Sequence, residues 1–434
     1  MSSDGREVRL GDCIELLTGF PFKSAAYVDA ADAVRLLRGD NIGQGRLRWE
    51  DAKRWPLDKC SDLDGFQLRE GDVVLAMDRP WIPAGLKFAK VRRDDVPAFL
   101  VQRVARLRPR AGIAPNFLHY VIASPDFTQH IQNVTTGTAV PHISATQIRE
   151  YKFELPDLST QVACGDVLTA LDDRIALLRE TNATLEAIAQ ALFKSWFVDF
   201  DPVRAKQQGL APAGMDETTA ALFPDSFEDS ALGLVPKGWK VHALDGVATY
   251  LNGLALQKFP PSDDSWLPVI KIAQLRKGDT VGADRAGKNI KPEYIVQNGD
   301  VLFSWSGSLE VEVWCGGIGA LNQHLFKVMS EEFPKWFYLL WTRHHLEHFR
   351  QIAASKATTM GHIQRVHLTD AKVLVPPASV LKAFDACFAS LLDRRIENEL
   401  HAQTLATLRD TLLPRLISGQ LRLPESQPMM ESKP

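Results

Sequence analysis

Two segments of the chain carry apolar residues at the three- and four-residue spacing of a long amphipathic helix. In the first segment the stripe passes through Leu171, Ile175, Leu178, Asn182, Leu185 and Leu192. In the second it passes through Leu392, Ile396, Leu400, Leu408 and Leu412. These residues form a heptad seam, the pattern by which one helix packs along another.

The ends of both helices can also be predicted. Asp157, Ser159 or Thr160 can cap the first after Pro156, and Ser379 can cap the second after Pro377. A helix of about 35 to 40 residues forms a rod of roughly 50 to 60 Å. We expect the two rods to pack on each other antiparallel, with Asn182 fixing the register. The alternative, in which each helix lies on its own domain, fits the length of the first helix poorly.

Outside the helices, the chain resembles itself, which indicates an internal repeat. GDVVLA at 71–76 recurs as GDVLFS at 299–304, and from Gln102 onward the matches keep an offset of 220 or 221 residues. Each Gly-Asp turn leads into an apolar run, as expected for a buried strand. Residues 99–107 and 325–328 also favour strands, whereas 117–122 and 336–341 favour buried helices.

The sequence therefore predicts an α+β chain in which two α/β domains in tandem are separated by two long α-helices. The helices pack as an antiparallel coiled coil, and the whole is pseudo-two-fold symmetric. The predicted boundaries are a globular domain at 1–156, a helix at 157–200, an extended connector at 201–238, a globular domain at 239–377, a helix at 378–420 and a tail at 421–434.

Composition is that of a soluble globular protein, with 45% hydrophobic and 24% charged residues in 434. No apolar run reaches the roughly 18 residues that span a bilayer, so no membrane partner is expected. Five scattered cysteines and a polar start predict a reducing cytoplasm. The net charge of −3 does not by itself favour nucleic acid. Residues 1–150 carry 21 basic and 19 acidic side chains and residues 231–377 carry 16 and 13, whereas 151–230 carry 6 and 14.

Catalytic motifs are absent from the sequence: there is no phosphate-binding loop, no dinucleotide fingerprint and no nucleophile elbow. One stretch, 344–348, matches the HxxEH pattern, and a metal-dependent hydrolase using His344, Glu347 and His348 is an alternative. A solvated helix end explains the same residues, and no third ligand is evident. We therefore predict no catalytic residue and no metal site, and favour a recognition or scaffold protein.

Two similar domains on a rigid rod suit duplex DNA, whose helical repeat is about 34 Å. A coiled-coil scaffold without a DNA role is the alternative. Candidate contacts to phosphates and base edges lie in loops. In the first domain they are Lys23, Arg38, Asn41, Arg46, Arg79, Thr136, Thr138 and His142. In the second they are Lys271, Gln274, Arg276, Ser304, Trp305, Lys356, Thr358, Thr359 and His362.

Several stretches resemble the specificity subunit of type I restriction-modification systems. They are LEAIAQALFKSWFVDFDPV at 185–203, FPDSF at 223–227, PKGW at 236–239, LRDTLLPRLISG at 408–419 and GTAVPHIS at 137–144. The resemblance covers essentially the whole chain. One departure is the second copy of the last loop, where Thr359, Met360, Gly361 and His362 replace the fuller motif.

The resemblance implies two target-recognition domains, each reading one half of a split, asymmetric sequence in double-stranded DNA. It implies that the paired helices act as a spacer and dock two modification (methyltransferase) subunits, which bind S-adenosylmethionine. Restriction subunits that use ATP and Mg would then join. By this resemblance the chain itself carries no active site and no cofactor, and works in the cytoplasm of a bacterium or archaeon.

Overall fold

Both copies of the internal repeat contain three corresponding β-sheets, and each copy is completed by part of the two long helices. The computed structural model describes residues 5–137, 140–262, 265–355 and 361–423. The chain divides into two units. Unit 1 comprises Met1–Ile175 with Thr404–Pro434, and unit 2 comprises Ala176–Gln403.

Unit 1 contains eleven strands among its described residues. They are β1 (Arg6–Arg9), β2 (Ile14–Thr18), β3 (Val34–Leu37), β4 (Arg54–Trp55), β5 (Val73–Ala76), β6 (Trp81–Ile82), β7 (Gly85–Leu86), β8 (Phe88–Lys90), β9 (Ala98–Leu100), β10 (Val104–Pro109) and β11 (Lys152–Leu155). Its helices are α1 (Leu10–Cys13), α2 (Pro115–Ala123), α3 (Pro125–Val134) and α4 (Ala145–Arg149), followed by the start of the long helix α5 (Leu158–Phe193).

Unit 2 contains the rest of α5 and the remaining elements. Its strands are β12 (Phe227–Ser230), β13 (Gly233–Pro236), β14 (Lys240–Ala243), β15 (Thr249–Asn252), β16 (Trp266–Ile270), β17 (Arg285–Gly287), β18 (Ile295–Val296), β19 (Val301–Ser304), β20 (Val311–Val313), β21 (Gly319–Leu321), β22 (Leu325–Met329) and β23 (Lys372–Val375). Its helices are α6 (Asp201–Gln207), α7 (Glu217–Ala221), α8 (Leu244–Val247), α9 (Ile272–Lys277), α10 (Lys335–Ser355), α11 (Arg365–Asp370) and the first part of α12 (Ala378–Ile417).

Three sheets of unit 1 have counterparts in unit 2, whereas the β6–β7 and β12–β13 hairpins and strand β18 have none. The sheet β2-β10-β5-β8 of unit 1 is matched by β15-β22-β19-β20 of unit 2. The parallel pair of β3 with β9 is matched by β16 with β21, and the antiparallel pair of β1 with β11 by β14 with β23. The repeat seen in the sequence is therefore a repeat of topology.

The repeated Gly-Asp turn has one physical role in both units. Its glycines have φ angles of +86° and +88°, a left-handed conformation that favours glycine. The following aspartates pair with a cation on the neighbouring strand. Asp72 accepts from the guanidinium of Arg108 at 2.7 Å, and Asp300 pairs with the ammonium of Lys327 at 2.8 Å. The turn thus leads into strands β5 and β19, which are wholly buried.

The helices predicted at 117–122 and 336–341 lie within α2 and α10 and are buried in the cores of their units. In unit 1 the core side chains of α2 include Phe117 and Val121, both fully inaccessible. In unit 2 the ring of Trp336 on α10 stacks on Phe388 of α12 at 4.3 Å between ring centroids. Each domain helix therefore packs its apolar face towards the long helices of its own unit.

Helices α5 and α12 run antiparallel within each unit. In unit 2, Asn182 is hydrogen-bonded to the backbone of Arg395, and in the π turn that follows α5 the ring of Trp196 packs 4.9 Å from that of Phe384. In unit 1, Asp172 of α5 pairs with Arg409 of α12 at 2.6 Å. Residues with higher numbers on the first long helix therefore contact residues with lower numbers on α12. The predicted antiparallel packing of the two helices is confirmed.

The predicted seam residues are buried or half-buried on these two helices, with one exception. Leu408 is 45% exposed, so its assignment to the seam is wrong. The buried face of α12 instead passes through Asn398, Ala402, Leu413 and Leu416, and leaves Leu408 outside it. Buried seam residues are Ile175, Leu178, Asn182 and Leu392. Half-buried ones are Leu171, Leu185, Leu192, Ile396, Leu400 and Leu412.

The segment 201–238 is not the extended connector expected from its composition. It forms α6, α7 and the β12–β13 hairpin, and it buries Val203, Phe223 and Val235 in the core of unit 2. Leu210, Leu232 and Leu234 of this segment are exposed, whereas the ring of Phe223 packs 5.5 Å from that of Trp196 in that core. The domain boundaries themselves stay a prediction.

The ends of the long helices have specific causes. Asp157 caps α5 by accepting hydrogen bonds from Ser159 and Thr160, which hold the pKa of this carboxyl below its usual range. At the other end, the helix widens into a π turn over Lys194–Val198, and Phe200 takes a left-handed φ of +57°. No helix among the described residues has the length and apolar character needed to cross a bilayer.

Candidate nucleic-acid interface

Two loops meet beyond the end of strand β5 in unit 1, and their backbones are hydrogen-bonded to each other. The backbone N–H of Ile143 donates to the carbonyl of Met77 at 2.9 Å, and that of Arg79 donates to the carbonyl of Pro141 at 2.6 Å. Arg79 itself has a φ of +46°, an unfavourable conformation for a residue with a side chain. The pairing places the exposed side chains of Arg79 and His142 on adjacent backbone segments.

The second of these loops is also closed on itself. Thr136 and His142 exchange two backbone hydrogen bonds, at 3.0 and 2.8 Å. Both side chains are exposed. Three predicted contact residues, Arg79, Thr136 and His142, are therefore held together in unit 1.

Unit 2 repeats this loop pairing at the same place in its fold. The N–H of Ile363 donates to the carbonyl of Trp305 at 3.0 Å, and that of Gly307 donates to the carbonyl of Gly361 at 2.9 Å. The rings of Trp305 and His362 lie 6.4 Å apart. We call these segments, 77–80 with 135–137 and 140–144 in unit 1 and 305–308 with 361–364 in unit 2, the paired loops.

A cluster of cations lies beside the paired loops of unit 1. The ammonium group of Lys87 is partly buried, and burial lowers its pKa. Asp40 and Asp78 favour its charged form, whereas Arg79 and Arg48 oppose it. Burial is the largest of these effects, and an additional anion at this place would stabilise the charged lysine.

Unit 2 presents aromatic and neutral polar groups at the corresponding place. The indole N–H of Trp305 donates to Oδ1 of Asn252 at 2.9 Å, and its ring packs 5.9 Å from that of His324. The ring of His324 is hydrogen-bonded to Oγ of Ser306 at 3.0 Å and to Nε2 of Gln323 at 3.3 Å. The two sets of paired loops therefore share a backbone but differ in chemistry.

A family model matches most of the chain. The family is described as "Type I restriction modification DNA specificity domain", and the match covers residues 4–187 and 236–408. The chain belongs to this family. The two matched segments together contain both sets of paired loops, so this specificity subunit carries the family's domain twice.

Known proteins similar to this specificity subunit match it over most of its length. The HindI specificity subunit of Haemophilus influenzae is 25% identical over 96% of this chain and 100% of its own. The MjaIX specificity subunit of Methanocaldococcus jannaschii is 23% identical over 73% of this chain and 71% of its own. The S subunit of a type I restriction-modification system from M. genitalium has a similar fold, with a TM-score of 0.56, 13% identity and 96% of each chain covered. The predicted fold class is confirmed.

Two predicted contact residues of the specificity subunit have equivalent structural roles in the two copies of the repeat. Asn41 is buried, accepts from the N–H of Arg38 at 3.1 Å and donates to the carbonyl of Arg48 at 3.1 Å. Gln274 is buried too and accepts from the N–H of Lys271 at 3.3 Å. These amides hold their loops in shape and present little surface to a ligand.

Ser304 does not have the role that the sequence suggested. Its side chain is fully buried, donates to the carbonyl of Ser308 at 2.6 Å and accepts from the N–H of Glu310 at 2.8 Å. Both hydrogen-bonding functions of the hydroxyl are used inside unit 2. Ser304 therefore shapes the loop that follows β19 and cannot reach a ligand outside it.

The remaining predicted contacts are distributed around the two units. Arg46 and Arg276 are exposed, and Lys23 is exposed ahead of the short turn Ser24–Ala26. Arg38 pairs with Asp40 at 3.6 Å, and Lys271 pairs with Asp284. Thr138, Lys356, Thr358 and Thr359 lie outside the described residues.

The HxxEH stretch is part of helix α10 in unit 2. The ring of His344 packs 5.4 Å from that of Trp341, and Glu347 pairs with Arg350 at 3.5 Å on the same helix. Within the part of the chain that the structure describes, no group of three or more histidine, cysteine or acidic side chains could hold a metal ion. The stretch lies in the middle of α10, which continues to Ser355, so the expectation of a helix end is wrong. The exposed side chains of His344, Glu347 and His348 lie on the solvated face of that helix.

Sequence reasoning missed Lys87 and His324, which lie beside the paired loops. His324 follows Gln323, the residue that aligns with Gln102 in the repeat, and this alignment was a usable signal. Lys87 has no such signal, because its position depends on the short β6–β7 hairpin that turns it towards Arg79.

Proposed function

We propose that this specificity subunit recognises a bipartite, asymmetric site in double-stranded DNA, with one half-site read by each unit. The observation that supports it most is the equivalence of the paired loops. Met77 with Ile143 in unit 1 and Trp305 with Ile363 in unit 2 make the same backbone hydrogen bond, while the side chains around them differ. One scaffold carrying two different sets of side chains suits two half-sites of different sequence.

The chemistry beside the paired loops of unit 1 suits phosphates and guanine. Arg79 and Arg48 lie close enough to Lys87 to disfavour its charged form. Cationic side chains bind phosphate oxygens, and arginine also pairs in a bidentate manner with O6 and N7 of guanine. We expect phosphate contacts from this cluster and base contacts from Arg79, which is the exposed member on the loop itself.

The paired loops of unit 2 suit a different half-site. Trp305, Ser306 and His324 supply an apolar face and neutral hydrogen-bonding groups. Such groups contact the thymine methyl and the edges of either base pair, with less dependence on phosphate charge. The second half-site is therefore expected to contribute less to the salt dependence of binding than the first.

The same proposal assigns the long helices to spacing and assembly. Helices α5 and α12 are each continuous through residues of both units, so they fix the gap between the half-sites. Their exposed apolar side chains provide surface for two modification subunits, with restriction subunits joining afterwards. These side chains are Leu158, Val162, Val167, Leu177, Ile188 and Leu408. S-adenosylmethionine would bind in the modification subunits, and ATP with Mg in the restriction subunits, while this chain holds no cofactor and no active site.

Binding selection with the assembled complex tests the proposal. The chain is purified with its modification subunit and incubated with a random pool of duplexes, and the bound DNA is sequenced. We expect two short specific stretches separated by a gap of fixed length. Replacing Arg79 by Ala should change only one of the two stretches. Binding without sequence preference would contradict the proposal and favour a scaffold without a DNA role.

A further inference from the structure

A carboxylate on α5 connects three elements in unit 1. Asp172 accepts a hydrogen bond from the hydroxyl of Tyr120 on α2 at 2.7 Å and pairs with the guanidinium of Arg409 on α12 at 2.6 Å. Tyr120 is buried, and Asp172 and Arg409 are each little more than a quarter exposed. This one side chain therefore ties the globular domain to both long helices.

Unit 2 has a carboxylate on α5 with the same connections. Glu186 pairs with Arg343 on α10 and with Arg395 on α12, the latter at 3.2 Å. Both arginines also pair with Glu312 on β20, at 3.0 and 3.2 Å, which closes a ring of four charges. We call Asp172 and Glu186 the junction carboxylates.

These contacts differ in kind from the apolar packing around them. Apolar side chains resist separation but tolerate small rotations, whereas charge-assisted hydrogen bonds are directional and short. Arg343 is only 13% exposed and Glu186 22%, so water screens the ring less than it screens a surface ion pair. A domain held by such contacts is fixed in angle as well as in position.

The junction carboxylates are not inherited from the repeat. At the repeat offset of 221 residues, Asp172 corresponds to Asp393 and Glu186 to Thr407. Asp393 is exposed and belongs to neither junction. Each unit therefore has its own acid on α5 that pairs with its own arginine on α12.

We propose that the junction carboxylates set the angle at which each globular domain is held against the helix pair, and thereby the gap length that the protein accepts between half-sites. They are positioning residues, since they contact no DNA. This inference rests on the proposed function. One added base pair moves a half-site by about 3.4 Å and turns it by roughly 35° about the DNA axis. A domain that is fixed in angle cannot bind the displaced half-site, whereas a domain that is held less rigidly can rotate to bind it.

Variants that remove one connection at a time test this inference. Tyr120→Phe removes the hydroxyl that joins the domain of unit 1 to Asp172 and leaves the ion pair with Arg409 in place. Glu186→Gln removes one of the two negative charges in the unit 2 ring. The matched controls are Tyr151→Phe, a second buried tyrosine of unit 1, and Glu180→Gln, an exposed acid on the same helix.

Each variant is assembled with its modification subunit and offered duplexes that carry the wild-type half-sites at gaps from two base pairs shorter to two longer. We expect the wild type to prefer one gap by at least tenfold. Tyr120→Phe and Glu186→Gln should reduce that preference by at least threefold while selecting the same half-site sequences, and both controls should behave as wild type.

An unchanged gap preference in both variants would overturn the inference and leave the proposed function intact. A changed half-site sequence would also overturn it, because it would place these residues in recognition. If the wild-type complex selects no two-part site, the proposed function fails and the inference fails with it. Tyr120→Phe deletes a single oxygen atom, so it keeps the test decisive if Glu186→Gln does not assemble.

Discussion

Asn182 and Asn398 are hydrogen-bonded to each other between the two long helices of unit 2, with Nδ2 of Asn398 donating to Oδ1 of Asn182 at 3.0 Å. Both side chains are buried. Asn182 also donates to the backbone carbonyl of Arg395 at 3.1 Å, so its amide group is used on both sides. Only one alignment of the helices along each other brings these groups together. The pair thus fixes the register of α5 against α12.

The asparagine pair leads to a prediction about stability. Asn182→Ala should lower the free energy of unfolding by about 1–3 kcal/mol, because it leaves the buried amide of Asn398 without its partner. Replacing both residues by Leu should cost much less, since no polar group is then stranded. Urea unfolding of the single and double variants measures this. The account would be contradicted if the double variant lost as much free energy of unfolding as the single variants lose when their losses are added.

Gly165 marks a close approach between α5 and α2 in unit 1. A Cβ atom at this position would lie 2.8 Å from Cβ of Asn116 and 3.1 Å from the backbone nitrogen of Phe117. Gly165→Val should therefore destabilise the protein by about 1–3 kcal/mol or more through overpacking. Ala163→Val, at an exposed position of the same helix, is the control. Equal thermal stability of the two variants would count against this packing.

The buried imidazole of His119 predicts a dependence of stability on pH. Burial lowers the pKa of His119 to about 4, whereas an unfolded histidine titrates near 6.5. Between these values the unfolded chain binds a proton that the folded chain does not. Stability should therefore fall as pH drops from 6.5 to 4, by about 3 kcal/mol from this residue. His119→Phe should flatten the curve over this range, as measured by urea midpoints. A slope identical to wild type would exclude the proposed cause.

Lys87 leads to a prediction about salt. If it contacts a DNA phosphate, Lys87→Met should reduce the slope of log affinity against log salt concentration by about 1 and leave the recognised sequence unchanged. Lys152→Met, which removes a surface lysine paired with Glu7, should leave the slope at its wild-type value. Titration of the assembled complex at several salt concentrations measures both. Equal slopes for the two variants would remove Lys87 from the interface.

Sequence periodicity was sufficient for the long helices, the tandem repeat and the buried strands after the Gly-Asp turns. These features depend on local spacing and on the burial of continuous apolar stripes. It failed at Leu408, because the predicted stripe on α12 advanced in steps of four or eight residues, whereas the buried face combines steps of three and four. It failed again at 201–238, where isolated residues such as Phe223 are buried by tertiary packing rather than by a periodic pattern.

The candidate interface could be predicted only in part. Arg79, Thr136 and His142 were identified because they lie in loops at repeated motifs. Ser304 was assigned the wrong role, because the sequence does not show that its hydroxyl is enclosed by the turn that follows β19. Lys87 was missed since its nearness to Arg79 results from chain folding over several short strands.

The measurement that tests the central claim most directly is the map of methylated bases in DNA from cells carrying this chain and its modification subunit. It should be compared with cells in which residues 1–150 come from another member of the family. We predict a two-part motif in which the exchange changes one half and leaves the other half unchanged. A motif that is unaltered by the exchange, or altered in both halves, would contradict the account.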